Sequence, residues 1–340
     1  MRFLYAESHG HGFSTTYWKW KIGCIRYYKP QFPNITHAHL KYIAGLFDCS
    51  IQDLYDITNN TSKFYKTYYI PKRNGGRRRI DSPDHFLKEI QQWILADILY
   101  YIPSSKYAKA YVPKTSIKDN AKFHLGQRVM LTIDVKDFFS SITENRIFNV
   151  FRLYCGYEPS VAAFFTKLCT YNGVLPQGAP TSAYLSNLVM KEFDEAVGVY
   201  CRAHNIRFTR YADDMTFSGD FDIAALLHFT DKQLNHIGLT RHPEKIKVMR
   251  QHDRQKTTGI VVNAKQQAPR EYRMNIRQEI YYIKTYGIDS HAEHIGKEKT
   301  QYLQSLLGRI NYVLSLNPKD TKMIAYQRYI NARITVDSFN

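Results

Sequence analysis

The feature that most constrains this chain is a pair of adjacent carboxylates, Asp213 and Asp214, with large apolar side chains on either side. Residues Arg207 to Ser218 read as strand, turn, strand, with Ala212-Asp213-Asp214 at the tip and Phe208, Tyr211, Met215 and Phe217 as flanks. Neighbouring carboxylates repel, so without a cation one of them tends to take up a proton. A divalent metal removes the conflict, and magnesium commonly binds one or two carboxylates plus substrate phosphates. Upstream, the short apolar strand Val129 to Val135 carries a third carboxylate, Asp134, near its end. Three such groups suffice for two ions about 4 Å apart, the arrangement that serves in-line phosphoryl displacement. An isolated Asp-Asp is ordinarily a solvated turn; here the residues around it argue otherwise.

The formal net charge of +17 over 340 residues points the same way. That excess attracts anions, and nucleic acid is the polyanion whose phosphates Lys and Arg neutralise. No apolar run approaches the roughly 20 residues of a membrane span, so no membrane partner is expected. The five cysteines, Cys24, Cys49, Cys155, Cys169 and Cys201, are scattered and form no C-x-x-C pair. They read as small buried hydrophobes in a reducing compartment. Met1 to Ala6 lack the plan of a secretory leader, and a cytoplasmic location is expected.

The pattern along the chain is α+β. Residues 1–36 are aromatic and weakly periodic, an N-terminal extension without an assigned role; His9, His11, His37 and His39 lack partners at metal-ligand spacing. Helical spacing runs from Ala38 to Ile57 and from Phe86 to Ile102, on either side of a basic hairpin, Tyr68 to Ile80, turned by Asn74-Gly75-Gly76. Helices are expected over Phe151 to Thr170, Ala183 to Cys201 and Ile223 to Ile237. A Gly- and Pro-broken loop, Gly173 to Ser182, lies between the first two, and a strand covers Gly259 to Asn263. Beyond Ala268 the strands stop, and Leu303, Leu306, Leu307, Ile310, Val313 and Leu314 trace one helix stripe.

Four stretches in order resemble the motifs of reverse transcriptases. Tyr211-Ala212-Asp213-Asp214 is similar to the YxDD signature, and Leu131 to Phe139, containing Asp134, to the first carboxylate motif. Leu175 to Ser182 resembles the LPQGxPxS loop, and Ile70-Pro71-Lys72 through Arg78 the fingertip motif. The resemblance implies a right-hand polymerase fold: fingers and palm, the palm an antiparallel sheet plus helices, over 37–265, and a helical thumb over 266–340. It implies Asp134, Asp213 and Asp214 as catalytic metal ligands for two Mg2+ ions, with dNTP as substrate. Lys72 and Arg78 would hold the triphosphate, Gln177 would sit beside the nucleotide, and Phe139 would exclude the 2′-OH. Phe138 is expected to point into the core, because residues alternate along a strand. Lys245, or equally Lys247, resembles the basic residue that follows the YxDD hairpin.

Two further stretches resemble the retron subgroup. Asn120-Ala121-Lys122-Phe123-His124 is similar to its NAxxH motif. Thr257-Thr258-Gly259 is similar to its VTG triplet, with Thr257 in place of valine. RNA or template contacts are expected of Asn120, His124, Thr258 and Gly259. The subgroup implies a dedicated non-coding RNA copied from an internal 2′-OH into a branched RNA–DNA molecule (msDNA), and a separately encoded effector protein in antiviral defence. No maturase region and no RNase H domain are expected, so template removal falls to a host RNase H. Arg309 and Lys322 are expected to grip the RNA stem. The alternatives are a CRISPR-associated or abortive-infection reverse transcriptase, or a catalytically idle RNA-binding scaffold.

Overall fold

A computed structural model describes residues 37–72 and 75–337. The expectations for residues 1–36, with His9, His11 and Cys24, and for Arg73 and Asn74 lie outside the described residues. The chain opens with helices α1 (His37–Leu46) and α2 (Ile51–Asn59). Ser50 and Asp53 cap α2 reciprocally, each satisfying a donor that the first turn leaves open. Strands β1 (Tyr65–Pro71) and β2 (Arg77–Pro83) form the basic hairpin. Its turn closes through Lys72 N to Gly76 O at 3.1 Å, with Gly75 and Gly76 both at positive φ.

Helices α3 (His85–Asp97) and α4 (Ile117–Lys122) lead to β3 (Val129–Asp134). Then follow α5 (Phe138–Ser141), α6 (Glu144–Asn149), α7 (Pro159–Cys169), α8 (Ser182–Val189) and α9 (Lys191–Ala203). Strands β4 (Arg207–Tyr211) and β5 (Asp214–Gly219), helix α10 (Ile223–His236) and β6 (Lys247–Arg250) complete the central unit. The central sheet is antiparallel in the order β4-β5-β3-β6. A ribbon of β7 (Lys256–Thr257) and β8 (Ile260–Val261) precedes α11 (Arg270–Tyr286), α12 (Ile288–His294), α13 (Lys299–Leu316) and α14 (Thr321–Asp337).

Strand β3 buries apolar side chains on both of its faces. Leu131 and Ile133 join a core shared with α1 to α3 and α5 to α10, whereas Met130 joins a second core with Ile260, Ile276, Leu306 and Ile310. Four expected elements differ. The helical spacing over Phe86 to Ile102 gives a helix only as far as Asp97, then a separate 3₁₀ turn over Leu99–Tyr101. Phe151 to Thr170 is interrupted: a π-turn over Val150–Tyr154 gives way to non-helical backbone before Pro159 starts α7 at a favoured first-turn position. The helix expected over Ala183 to Cys201 is two helices meeting at Met190. The strand expected over Gly259 to Asn263 narrows to Ile260–Val261. Among the described residues no helix is long and apolar enough to cross a membrane. Of the described cysteines, Cys155, Cys169 and Cys201 are buried and Cys49 is half-buried. Arg309, expected at the RNA stem, is partly exposed and its guanidinium is engaged by both carboxylate oxygens of Glu279, Nη1 to Oε1 at 2.6 Å.

Candidate active site

Three carboxylates meet where β3 and the β4–β5 hairpin end. Asp134, the last residue of β3, lies opposite Asp214, the first of β5. Tyr211 of β4 also faces Asp214, so Ala212 and Asp213 alone make the turn. A two-residue hairpin turn that follows the sheet twist needs positive φ at its first position, and Ala212 takes φ +59°. The Asp213 carbonyl accepts from Val135 N at 3.1 Å, which stitches the turn to the end of β3.

The charges are close enough to perturb one another. Burial, and then the charge of Asp134, raises the Asp213 carboxyl above the usual carboxylate range. Burial, Asp213 and Asp134 push Asp214 up to about 6. Nearby cations oppose this: Lys245 and Arg78 act on Asp213, Lys245 and Lys247 on Asp214. Lys245 donates to Asp134 Oδ1 at 2.7 Å, and its segment is anchored by His242 N to Asp134 O at 2.7 Å. Lys247 instead pairs with Thr132 along β6.

Among the described residues no three His, Cys, Asp or Glu side chains form a ready-made metal cage. The donor set nevertheless fits a hard divalent cation. Its carboxylate oxygens carry repelling charge that the protein offsets only in part, and magnesium completes its shell with substrate and water rather than with an all-protein cage.

Around this centre, Gln177 is half-buried, and its carbonyl accepts from Asp81 N at 2.9 Å, which ties the Leu175 to Ser182 loop to β2. Lys72 and Arg78 are exposed on the hairpin, with Arg78 paired to Ile70. Phe139 is half-buried, its ring edge-on to that of Phe138 at 5.3 Å. Phe138 is buried as expected, but the reason differs. Both residues lie in α5, entered through Asp137 at φ +45°, so the helix turn rather than strand alternation separates them.

The RNA contacts expected of Asn120 and His124 are corrected. Both are fully buried behind the sheet, in a polar layer between β4–β5 and α4–β7. Thr209 Oγ1 donates to Asn120 Oδ1 at 2.6 Å, and Asn120 Nδ2 donates to Thr257 at 3.1 Å and to Thr258 at 3.4 Å. His124 bridges Ser218 at 2.7 Å and Thr209 at 2.8 Å, and Thr216 meets Thr257 at 2.9 Å. The two subgroup motifs, more than 100 residues apart in sequence, thus share one hydrogen-bonded layer. Thr258 and Gly259 are only half-buried.

Two residues near the site escaped the sequence reading. Tyr111, at φ +60° and with its ring exposed, feels Asp213 and Tyr211: burial and then Asp213 raise its hydroxyl. Nothing in its local sequence marks it. Arg210 is fully buried. Its signal was available, because it shares strand parity with Phe208, so a charge points inward.

The reverse transcriptase (RNA-dependent DNA polymerase) family model matches residues 70–276, a span that takes in the whole central sheet. The right-hand polymerase fold expected from the motifs is the fold of this chain. The retron Mx65 reverse transcriptase of Myxococcus xanthus is 32% identical over 288 residues, covering 78% of this chain and 64% of that enzyme. The retron Ec86 reverse transcriptase of Escherichia coli is 31% identical over 268 residues, covering 77% of this chain and 80% of that enzyme. Among solved structures, a Candida albicans telomerase overlaps 77% of this chain and 55% of its own at 10% identity, with a TM-score of 0.45. By its family match and these relatives, the chain belongs to the reverse transcriptase family and is of the retron type.

Proposed function

We propose that this chain is the RNA-directed DNA polymerase of a retron, copying a dedicated non-coding RNA from an internal 2′-OH into msDNA. The observation that carries the reading is the register that sets Asp134 against Asp214, with Asp213 at the turn between them and Lys245 and Arg78 nearby. In this reading Asp134 and Asp213 hold the metal directly and Asp214 completes the set. Two magnesium ions, when bound, supply activation of the attacking oxygen and stabilisation of the leaving one. Lys72 and Arg78 grip the triphosphate of the dNTP as paired cations. Gln177 lies beside the nucleotide, and Lys245 offsets charge at Asp134. Phe139, backed by Phe138, closes the space a 2′-OH needs.

The same reading makes 37–265 the fingers and palm, 266–340 the thumb, and 1–36 an extension of unassigned role. The second hydrophobic core, which gathers the C-terminal helices, supports that division. Thr258 and Gly259 are the subgroup-motif positions open enough for RNA contact. The proposed partners are the retron RNA, an effector protein in antiviral defence, and a host RNase H that removes template.

The test is nucleic acid extracted from cells carrying the gene with its native flanking DNA, run beside an Asp213→Asn, Asp214→Asn double variant. A discrete short DNA, absent from the variant and shifted by debranching enzyme, is the expected outcome. A DNA of unchanged yield in the variant defeats the carboxylate roles. A variant-sensitive DNA that debranching leaves unmoved points to a CRISPR-associated or abortive-infection enzyme.

A further inference from the structure

We propose that Arg210 is a positioning residue for the carboxylate-bearing turn: its buried guanidinium, locked by Asp194 and Asn187, fixes the carbonyl of Ala212 and thereby the directions of Asp213 and Asp214. The inference rests on the reading of those two carboxylates as metal ligands.

Arg210 and both of its side-chain partners are fully buried. Its Nε and Nη2 donate to Oδ1 and Oδ2 of Asp194, each at 2.7 Å, a two-pronged pairing that fixes the plane of the guanidinium. The remaining arm, Nη1, donates to Asn187 Oδ1 at 3.1 Å and to Ala212 O at 3.0 Å. Asn187 is held in turn, its Nδ2 donating to Ala110 O at 2.8 Å. The Arg210 backbone is equally confined: its N–H donates to Tyr107 O at 2.9 Å and its carbonyl accepts from Lys109 N at 2.7 Å. Four hydrogen bonds on one side chain and two on its backbone leave the arm that reaches Ala212 almost no freedom.

The position of that arm matters because Ala212 is the residue of the turn that holds positive φ. A non-glycine residue there is strained by roughly 1–2 kcal/mol and keeps the conformation only where its surroundings impose it. A guanidinium on its carbonyl imposes it. A buried ion pair is a poor device for stability, since removing two charges from water offsets most of their attraction, and well-packed apolar replacements are often as stable. A fixed geometry three residues before Asp213 is what the charge supplies here. Arg210 touches no reacting atom, so the effect is expected in turnover rather than in substrate affinity.

The test uses the full chain, Mg2+ and a primed homopolymer, poly(rA) with oligo(dT). The Arg210→Met, Asp194→Leu double variant removes both charges at similar volume. Arg210→Lys keeps a charge opposite Asp194 but loses the fork. Thermal unfolding and template affinity are measured with kcat and KM for dTTP. The double variant is expected to melt within about 8 °C of the wild type, to bind template normally, and to lose about 100-fold in kcat with KM nearly unchanged. Arg210→Lys is expected to lose about tenfold in kcat with little change in melting, again without a KM effect, since its single ammonium cannot span Asp194 and Ala212 together. A folded double variant with kcat within about threefold of wild type overturns the proposal. If the double variant does not fold, full kcat in Arg210→Lys overturns it alone and a kcat-only loss upholds it. A wild type that makes no DNA fails the polymerase reading itself, and the positioning role with it.

Discussion

The ammonium of Lys245 stands 2.7 Å from Oδ1 of Asp134, on the carboxylate that ends β3. About half of the lysine side chain is open to solvent, whereas Asp134 is largely covered. A pair so placed adds at most about 1 kcal/mol to folding, so its reason lies in the charge it brings to the site. Lys245→Met is therefore expected to leave thermal stability almost unchanged while raising the KM for dNTP about tenfold. Lys247→Met, at a position paired along β6, is expected to do less. Steady-state kinetics with both variants checks the order; equal effects would reassign the role to the local positive field rather than to Lys245.

The carboxylate cluster makes a prediction about pH and metal. Burial and the neighbouring charges of Asp213 and Asp134 hold the Asp214 carboxyl at about 6, above its unfolded value of 3.8. The folded protein therefore binds this proton more readily than the unfolded chain. The stability that follows is fully present below about pH 4 and is lost as pH rises through about 6. At neutral pH the ionised cluster strains the metal-free protein, and Asp214→Asn relieves it. Because Asp214 is exposed to solvent, screening holds the gain to at most about 1 kcal/mol. Melting curves at pH 7.5 in chelator should show the variant above the wild type. Added Mg2+ should raise the wild type more than the variant, which keeps Asp134 and Asp213; a wild type indifferent to Mg2+ would remove the metal from this site.

The candidate site was legible because its residues cluster in short stretches of sequence. A carboxylate pair between two apolar flanks declares a hairpin with an acidic tip, and Gln177 and Phe139 are marked by their own short motifs. Arg210 was legible in principle, from strand parity alone. Tyr111 was not, because a left-handed backbone at a tyrosine has no sequence signature. The misplacement of Asn120 and His124 has a different cause. A polar motif reads equally as surface chemistry or as buried structure until its partners are known, and Thr209, Ser218 and Thr257 lie 85 to 137 residues away. The short departures in the fold, at Met190 and over residues 155–158, are places where packing ends a helix that periodicity alone would continue.

That buried layer predicts an acid sensitivity of its own. Burial, and then the charge of Arg207, draws the His124 imidazole down to about 3. The unfolded chain, with a value near 6.5, binds the proton first, so stability is lost as pH falls from about 6.5 towards 3. The slope contributed is at most about 1.4 kcal/mol per pH unit. Its sign is opposite to that of Asp214, so the two are separated by variants rather than by the wild type alone. His124→Gln should flatten this part of the stability profile. Asn120→Ala, which leaves the Thr209 hydroxyl without its acceptor, should lower stability by about 1–3 kcal/mol at every pH. Chemical denaturation from pH 4 to 8 measures both, and an unchanged slope in His124→Gln would place the acid sensitivity elsewhere.

The last prediction concerns the seam between the Leu175 to Ser182 loop and the basic hairpin. Gly178 has φ +142°, and a Cβ there would lie 2.7 Å from the backbone oxygen of Asp81 and 3.0 Å from Cγ2 of Ile80. Backbone cannot yield as a side-chain tip can. The same Asp81 donates its N–H to Gln177 O, and its carboxylate receives Thr67 at 2.6 Å and Arg79 at 2.9 Å. Gly178→Ala must therefore push the loop from β2, and with it Gln177 from the hairpin that carries Lys72 and Arg78. The expected result is a loss of about 2 kcal/mol or more in stability and at least a tenfold rise in the KM for dNTP. Gly45→Ala in α1 is the control, since nothing lies within 4 Å of its added methyl. Gly45 lies in the last turn of α1, so the change is expected to shift stability by less than the roughly 0.5–1 kcal/mol that a helix interior gains. Melting temperatures and dNTP kinetics on the pair decide the matter: a Gly178→Ala enzyme with wild-type KM would mean that the nucleotide does not depend on the contact between loop and hairpin.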